Sequence, residues 1–204
     1  MSKVIVIGSG IAGLFSAIKL AECGHEVHIL TKQQPEDSST NWAQGGIAAI
    51  LDKTNLDGIE AHIQDTITCG NGMCDEGIVR LVVEEAGDRI RDLLSYGVSF
   101  QKENDDFALA KEGGHSQSRI LHAKDATGKE IETALMRAVK NHRNISIYPM
   151  NLVMDLIQSD HGKIEKGIAG VWCLNLSNGK VETHVADCVI IATGGAGQLW
   201  AQTT

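Results

Sequence analysis

Ten residues near the start of the chain decide its fold: Val4-Ile5-Val6-Ile7-Gly8-Ser9-Gly10-Ile11-Ala12-Gly13. The first four form a continuous apolar run, which is typical of a strand buried on both faces of a parallel sheet. Three glycines follow with the spacing G-x-G-x-x-G, and apolar residues then recur at helical intervals as far as Ala21. The pattern predicts a strand, a tight turn and a helix whose N-terminus faces the turn.

A second strand completes a βαβ unit, because Gly24 lies where a left-handed helix cap is expected and residues 27–30 are again apolar. In this context the glycine turn predicts a dinucleotide site, where the backbone and the helix N-terminus meet a pyrophosphate. The acid expected after the second strand is replaced by Thr31 and Lys32, which weakens an NAD interpretation and suits a phosphate better. A glycine corner without a ligand is the alternative.

The remaining pattern predicts an α/β fold, a Rossmann-like domain with a parallel sheet plus a small antiparallel β-meander. Helices are expected around residues 59–67 and 78–94, and a capping box from Thr127 to Glu130 predicts the start of another. Residues 33–50 and 100–121 are polar or irregular, which favours functional loops. The meander is predicted from four runs, residues 145–148, 152–157, 167–176 and 180–185, and an apolar strand at 188–192 leads into a second glycine-rich turn.

Bulk composition excludes several classes of partner. The chain of 204 residues has a formal net charge of -8 and no run of basic residues, so we expect no nucleic-acid partner. No apolar stretch approaches the ~20 residues that span a bilayer, and the opening residues read as a strand rather than a signal peptide, so we expect a cytoplasmic protein without a membrane partner. The five cysteines lack C-x-x-C spacing, which predicts reduced thiols and no metal site.

The loop after the second strand contains the string Ser38-Ser39-Thr40-Asn41-Trp42-Ala43-Gln44-Gly45-Gly46-Ile47-Ala48-Ala49. It resembles the S-x-T-x-x-A-Q-G-G-I segment of the succinate dehydrogenase, fumarate reductase and L-aspartate oxidase flavoprotein family, in which the segment wraps FAD. Members with a covalent flavin carry a histidine between the Ser and the Thr, and this chain has Ser39 there. The resemblance therefore implies a noncovalent FAD.

The resemblance also implies which residues contact the cofactor. They belong to the glycine corner, the end of the second strand, the loop string, the meander and the second glycine turn. The expected FAD contacts are Gly8, Ser9, Gly10, Ile11, Ala12, Gly13, Lys32, Ser39, Thr40, Asn41, Trp42, Ala43, Gln44, Gly45, Gly46, Val153, Thr193 and Gly194.

A second segment, residues 111–123 followed by Asp125-Ala126-Thr127-Gly128, is similar to the form found in the aspartate oxidases of this family. Aspartate presents an ammonium group, and a carboxylate beside the flavin suits its recognition. By resemblance Glu112 is the catalytic-site residue that orients the substrate amine, the alternative being a solvated loop acid paired with Lys111. His115, Arg119 and His122 could contact substrate or flavin, or hold the loop together.

The resemblance spans the chain but corresponds to well under half of a family member. It implies that residues 1–204 are the N-terminal part of an FAD-binding domain, without the capping domain and the C-terminal helical domain. The implied reaction is FAD-dependent oxidation of L-aspartate to iminoaspartate in de novo NAD biosynthesis, with oxygen or fumarate as electron acceptor and quinolinate synthase as a candidate partner. The alternatives are a soluble fumarate reductase or succinate dehydrogenase type of flavoprotein, and a truncated, non-catalytic FAD-binding module.

Overall fold

A computed structural model of the chain describes residues 1–123, 126–160 and 167–202. Asp125 of the second family segment lies outside these residues. In chain order the elements are β1 (Lys3–Ile7), α1 (Ile11–Glu22), β2 (Glu26–Leu30), α2 (Ser39–Trp42), β3 (Ile47–Ala48), α3 (Leu56–Gly70), α4 (Glu76–Ser95), β4 (Lys102–Glu103), β5 (Asp106–Phe107), β6 (Leu109–Ala110), β7 (Ile120–Leu121), α5 (Thr127–Lys140), β8 (Ile145–Tyr148), β9 (Asn151–Gln158), β10 (Ile168–Asn175), β11 (Lys180–Val185), β12 (Cys188–Ile191) and a short 3-10 helix (Gly197–Leu199).

These elements form two compact units. Unit 1 consists of Met1–Asn41 and Leu135–Thr204, and unit 2 consists of Trp42–Ala134. Among the described residues, no helix combines the length and the apolar character that a membrane crossing requires.

Unit 1 is built on a parallel sheet with the strand order β12-β1-β2-β8. Its central strand β1 pairs with β2 on one side and with β12 on the other, as the two apolar runs predicted. Helix α1 buries Gly13, Leu14, Ala17, Ile18 and Ala21, the positions that recur at helical spacing. Gly24 ends this segment with a φ of +85°, so the predicted left-handed cap is confirmed.

The prediction that residues 145–148 belong to the antiparallel meander was wrong. Strand β8 pairs in parallel with β2, and Val27 lies opposite Ile145. The physical reason is the preceding helix α5, which acts as a crossover and returns the chain to the sheet in the same direction. The meander itself has the order β11-β10-β9, and β10 and β11 are joined by the predicted turn at Gly179, which has a φ of +70°.

The meander of unit 1 packs against the parallel sheet. Strands β1 and β2 contribute Ile5, Ile7 and Leu30 to a buried cluster, and β10 contributes Val171 and Cys173. Val153 of β9 is partly buried against the same cluster. Burial also raises the pKa of the Cys173 thiol to about 11, so this cysteine is a protonated core residue.

Unit 2 contains the helical pair α3 and α4, which pack through Ile59, Ile63 and Val83. Both predicted helices are confirmed, and each begins at a side-chain cap: Asn55 accepts from the Gly58 amide and Asp75 from the Ile78 amide. The stretch expected to be irregular contains short strands instead. They form a β4–β5 hairpin and a sheet with the order β3-β7-β6.

The capping box predicted at Thr127 and Glu130 was wrong, although a helix does begin there. The Thr127 hydroxyl oxygen accepts from the Ala123 amide at 3.1 Å, and the Glu130 carboxylate accepts from the Ser99 amide at 3.0 Å. Both side chains therefore tie neighbouring segments of unit 2 to the start of α5 instead of pairing with each other's backbone. The motif identified the position of the helix and not the partners of its polar groups.

Candidate functional site

The glycine corner of unit 1 requires glycine for steric reasons. Gly8 has a φ of +110°, and a Cβ there would lie 2.2 Å from the Ala192 carbonyl oxygen. A Cβ on Gly13 would lie 2.1 Å from the Gly8 carbonyl oxygen. Helix α1 therefore sits directly on the turn, and its N-terminus is held against the end of β1.

Thr40 lies on the same corner. Its hydroxyl oxygen accepts a hydrogen bond of 3.0 Å from the Ile11 amide, and it would lie 3.3 Å from a Cβ on Gly10. The next amides of the first helical turn, those of Ala12 and Gly13, have no acceptor within the helix because the first turn has no preceding carbonyls. With the positive end of the helix dipole, they form a donor set that suits a pyrophosphate.

The side chain of Ser9 is turned into unit 1. It is 4% exposed, and its hydroxyl donates to the Pro35 carbonyl oxygen at 2.7 Å and lies 3.3 Å from the Thr31 hydroxyl. These contacts tie the loop after β2 to the glycine corner. A cofactor at the corner could therefore contact the backbone of Ser9 but not its hydroxyl, which already donates to the Pro35 carbonyl.

The second glycine turn lies beside the first. The Ala192 amide donates to the Ile7 carbonyl at 2.9 Å, and the Thr193 Cα would be 3.4 Å from a Cβ on Gly8. Gly194 is exposed and has a φ of +73°. Unit 1 thus brings the turns at residues 8–13 and 193–194 together with Thr40.

Two other residues expected to contact FAD, Lys32 and Val153, differ in their exposure to solvent. Lys32 is exposed just after β2, whereas Val153 packs against the apolar core of unit 1. Ser39 and Asn41 lie in the short helix α2, whose first turn is capped by Ser38: the Asn41 amide lies 3.3 Å from the Ser38 hydroxyl oxygen. The hydroxyl-rich string is therefore an ordered turn of helix rather than an extended loop.

In unit 2 the family segment continues from Trp42 to Ala49, and it approaches strand β7 at Gly46. Residues 42–45 are exposed, and the Ala43 carbonyl accepts from the Gly128 amide at 3.0 Å. A Cβ on Gly46 would lie 2.3 Å from the Ile120 Cγ2 and 2.6 Å from the Leu121 carbonyl oxygen. Glycine is required at 46 because its backbone lies in close contact with β7. At Gly45, by contrast, no atom of the described residues lies within 4 Å of a Cβ position.

Glu112 belongs to the same part of unit 2. Its carboxylate oxygen lies 3.3 Å from the His122 Nε2, and the Cε1 of that ring would be 2.8 Å from a Cβ on Gly46. The Glu112 side chain is 46% exposed, so it is accessible to a small molecule. The imidazole of His122 thus links the predicted amine-binding acid to the predicted flavin segment.

Arg119 and His115 take part in a network of the loop itself. Arg119 is fully buried, its Nη1 lies 2.7 Å from the Asp65 Oδ2, and the same nitrogen lies 3.1 Å from the His115 Nδ1. The His115 ring also contacts the ring of His62, with 5.6 Å between the centroids. The structure therefore favours the structural interpretation for Arg119 and His115.

Sequence reasoning missed Asp65 and His62. The Ser116 amide and the Arg119 guanidinium donate to Asp65 and hold the pKa of its carboxyl well below the usual range. Burial, together with the nearby charge of Arg119, lowers the pKa of His62 to about 4, so this imidazole is neutral. The signal was present in the spacing of His62, Asp65 and Cys69, which recur on one face of α3.

The residues of each unit fit parts of a flavin dinucleotide. Unit 1 offers glycine-lined backbone and first-turn amides that have no acceptor within helix α1, and these match a diphosphate. Unit 2 offers the glycine pair Gly45 and Gly46 beside His122 and Glu112.

The sequence pattern of the family described as FAD binding domain matches residues 3–204. The chain belongs to this family. Two relatives in the FAD-binding domain family are the chloroplastic L-aspartate oxidase of Arabidopsis thaliana, 44% identical over 98% of this chain, and the L-aspartate oxidase of Vibrio cholerae, 41% identical over 98%. The chain covers 30% and 38% of their respective lengths.

Solved structures of other proteins have the same fold as this chain. The Mycobacterium smegmatis Sdh1 complex superposes with a TM-score of 0.87 at 30% identity, covering 97% of this chain and 35% of the other. A quinol-fumarate reductase structure gives a TM-score of 0.86 at 25% identity, covering 98% and 34%. The predicted α/β fold, the family resemblance and the FAD cofactor are thereby confirmed.

Proposed function

We propose that the protein to which this chain contributes is an FAD-dependent L-aspartate oxidase that forms iminoaspartate for NAD biosynthesis. One observation supports this choice over the family's other reactions. Glu112 lies on the His122 side of the Gly46 segment, so a carboxylate is available for the one group that distinguishes aspartate from succinate, its ammonium. The curated relatives named above are L-aspartate oxidases.

Cofactor binding is divided among the elements already described. The amides of Ala12 and Gly13 would hold the pyrophosphate, with Gly8 and Gly10 leaving room for it and Thr193 and Gly194 lining the second turn. Residues 39–46 would lie along the rest of the cofactor, and Ser39 offers no imidazole for a covalent link, so we propose noncovalent binding. Bound FAD would supply the acceptor for the hydride removed from the α-carbon of aspartate.

Glu112 has the defined task of binding the substrate amine. A carboxylate accepts short, charge-assisted hydrogen bonds from an ammonium group, and this fixes the direction in which the α-carbon faces. The His122 Nε2 lies 3.3 Å from the same carboxylate.

Oxygen or fumarate would accept the electrons from the reduced flavin after each turnover. We also propose a cytoplasmic location, which suits the five free cysteines, and quinolinate synthase as the partner that consumes the product.

The proposal is tested in the full-length protein with Glu112→Gln. Loss of a charged hydrogen bond costs about 1.5 to 3 kcal/mol, so the aspartate KM should rise about ten- to hundredfold with a smaller change in kcat. The matched control is Glu103→Gln, an exposed acid of β4, which should leave KM unchanged. An unchanged aspartate KM in Glu112→Gln would remove the assigned role.

A fumarate reductase type of activity is the second candidate, because the fold closely matches that of quinol-fumarate reductase. The two functions are separated by assaying aspartate with oxygen against fumarate with a reduced flavin. A protein that reduces fumarate and ignores aspartate would support the second candidate. A protein that binds FAD in a calorimeter but performs neither reaction would support a non-catalytic module.

A further inference from the structure

The loop that carries Glu112 is an excursion between two paired strands. Its neck is closed where β6 and β7 pair and where the Arg119 amide donates to the Ala110 carbonyl at 3.1 Å. Its tip turns at Gly114, which has a φ of +83°, and the His115 amide donates to the Glu112 carbonyl at 3.2 Å. Glu112 therefore sits at the start of a tight turn, so its direction depends on where that turn is held.

One face of helix α3 holds the turn in place. The Cys69 thiol lies 3.8 Å from the Gly114 carbonyl oxygen, and His62 contacts the His115 ring. Between them Asp65 provides the strongest attachment. A single oxygen of its carboxylate accepts from the Ser116 amide, the Ser116 hydroxyl and the Arg119 Nη1, each at 2.7 Å.

The Asp65–Arg119 pair differs from the surface ion pairs of unit 2. The Arg119 side chain is 0% exposed and that of Asp65 is 18% exposed. By contrast, Glu60 of the same helix pairs with Arg80 of α4, and these side chains are 59% and 40% exposed. A buried guanidinium without its carboxylate would be an uncompensated charge, so the pair must form for the loop to close. Surface pairs contribute little by comparison.

We propose that Asp65 and Arg119 are positioning residues that set the affinity for the substrate ammonium by holding the Glu112 turn on helix α3. This inference rests on the function proposed above. Neither residue needs to touch substrate or FAD: the pair fixes one side of the loop, and the His122 contact to Glu112 fixes the other. Arg119 thus has a positioning role in this proposal and is not a ligand of the substrate carboxylates.

The test uses the full-length, FAD-loaded protein and the variant Asp65→Asn. A misplaced turn should raise the aspartate KM about tenfold, with little change in the affinity for FAD. The inhibition constant of succinate, which is aspartate without the amine, should stay within about twofold. The control Glu60→Gln, also on α3, breaks the exposed pair with Arg80 of α4 and should change none of these values.

A double variant distinguishes positioning from general damage. In the Glu112→Gln background, Asp65→Asn should add no further rise in the aspartate KM, because the group it positions is gone. If Asp65→Asn folds poorly, Ser116→Ala replaces it, since this change removes one of the three hydrogen bonds and leaves the ion pair.

The outcomes separate the two claims. If Glu112→Gln raises the aspartate KM and the variants at 65 and 116 do not, the positioning role is overturned and the proposed function stands. Equal rises in the aspartate KM and the succinate inhibition constant, or a rise that persists in the Glu112→Gln background, also overturn it. If Glu112→Gln leaves the aspartate KM unchanged, the amine-binding role of Glu112 fails and the positioning role fails with it, whereas a full-length protein that does not oxidise aspartate at all overturns the proposed function.

Discussion

Replacing Gly46 with alanine tests how closely the flavin segment is pressed on strand β7. The added methyl group would lie 2.3 Å from the Ile120 Cγ2, 2.6 Å from the Leu121 carbonyl oxygen and 2.8 Å from the His122 Cε1. The Ile120 side chain can rotate, but the Leu121 carbonyl is backbone and is paired within the β3–β7 sheet. The segment must therefore move away from β7 by several tenths of an ångström or more.

The magnitude follows from the overlap. Overpacking of this kind costs about 1 to 3 kcal/mol. The variant can relax by moving the segment outward, and FAD binding would then have to restore the original position. Since 1.4 kcal/mol corresponds to a factor of ten, the FAD dissociation constant should rise between about fivefold and a hundredfold.

The neighbouring variant Gly45→Ala is the matched control. Alanine at either position restricts the unfolded chain equally, and the methyl group at 45 would meet no atom of residues 1–123, 126–160 or 167–202 within 4 Å. In urea unfolding of the full-length apoprotein, Gly46→Ala should be less stable than Gly45→Ala by about 1 to 3 kcal/mol. Titration calorimetry then measures FAD affinity. Equal unfolding midpoints for the two variants would refute the contact with β7.

Three further changes test other parts of the molecule. Gly13→Ala places a methyl group 2.1 Å from the Gly8 carbonyl oxygen, so calorimetry should show FAD binding weakened at least about tenfold. Thr40→Val removes the acceptor of the Ile11 amide and should lower the unfolding free energy by about 1 kcal/mol in urea titrations; no loss would contradict the contact. The pKa of His62 falls from 6.5 to about 4 on folding, so between pH 6.5 and about pH 4 only the unfolded chain binds a proton at this imidazole. The free energy of unfolding should therefore fall as the pH is lowered through this range. In His62→Gln the decrease in thermal stability over the same pH range should be smaller.

The features predicted correctly from the sequence depend on neighbours in the chain. The strand, turn and helix at residues 3–22 follow from apolar spacing and three glycines, and the β10–β11 hairpin follows from Asn178 and Gly179. Each of these patterns is complete within about twenty residues. Local physics therefore sufficed for the strand, the turn and the helix of the glycine corner.

The predictions that were wrong concern residues whose strand or hydrogen-bond partner comes from a distant part of the chain. Strand β8 has the same alternation as a meander strand, and only its pairing with β2 places it in the parallel sheet. Glu130 fits a capping box, yet Ser99 takes its carboxylate. Arg119 has the residue type of a substrate ligand, but Asp65, 54 positions away, neutralises it. Such choices depend on tertiary contacts that spacing does not encode.

The parallel sheet has a consequence for the order in which the protein can form during synthesis. The Lys3 amide bonds to the Asp187 carboxylate across 184 positions, and Gly8 is covered by the Ala192 carbonyl. At roughly 5 to 20 residues per second, the ribosome needs roughly 10 to 40 s to supply that last strand. The edge of β1 that pairs with β12 therefore stays unpaired in every nascent chain that has not yet reached residues 188–191.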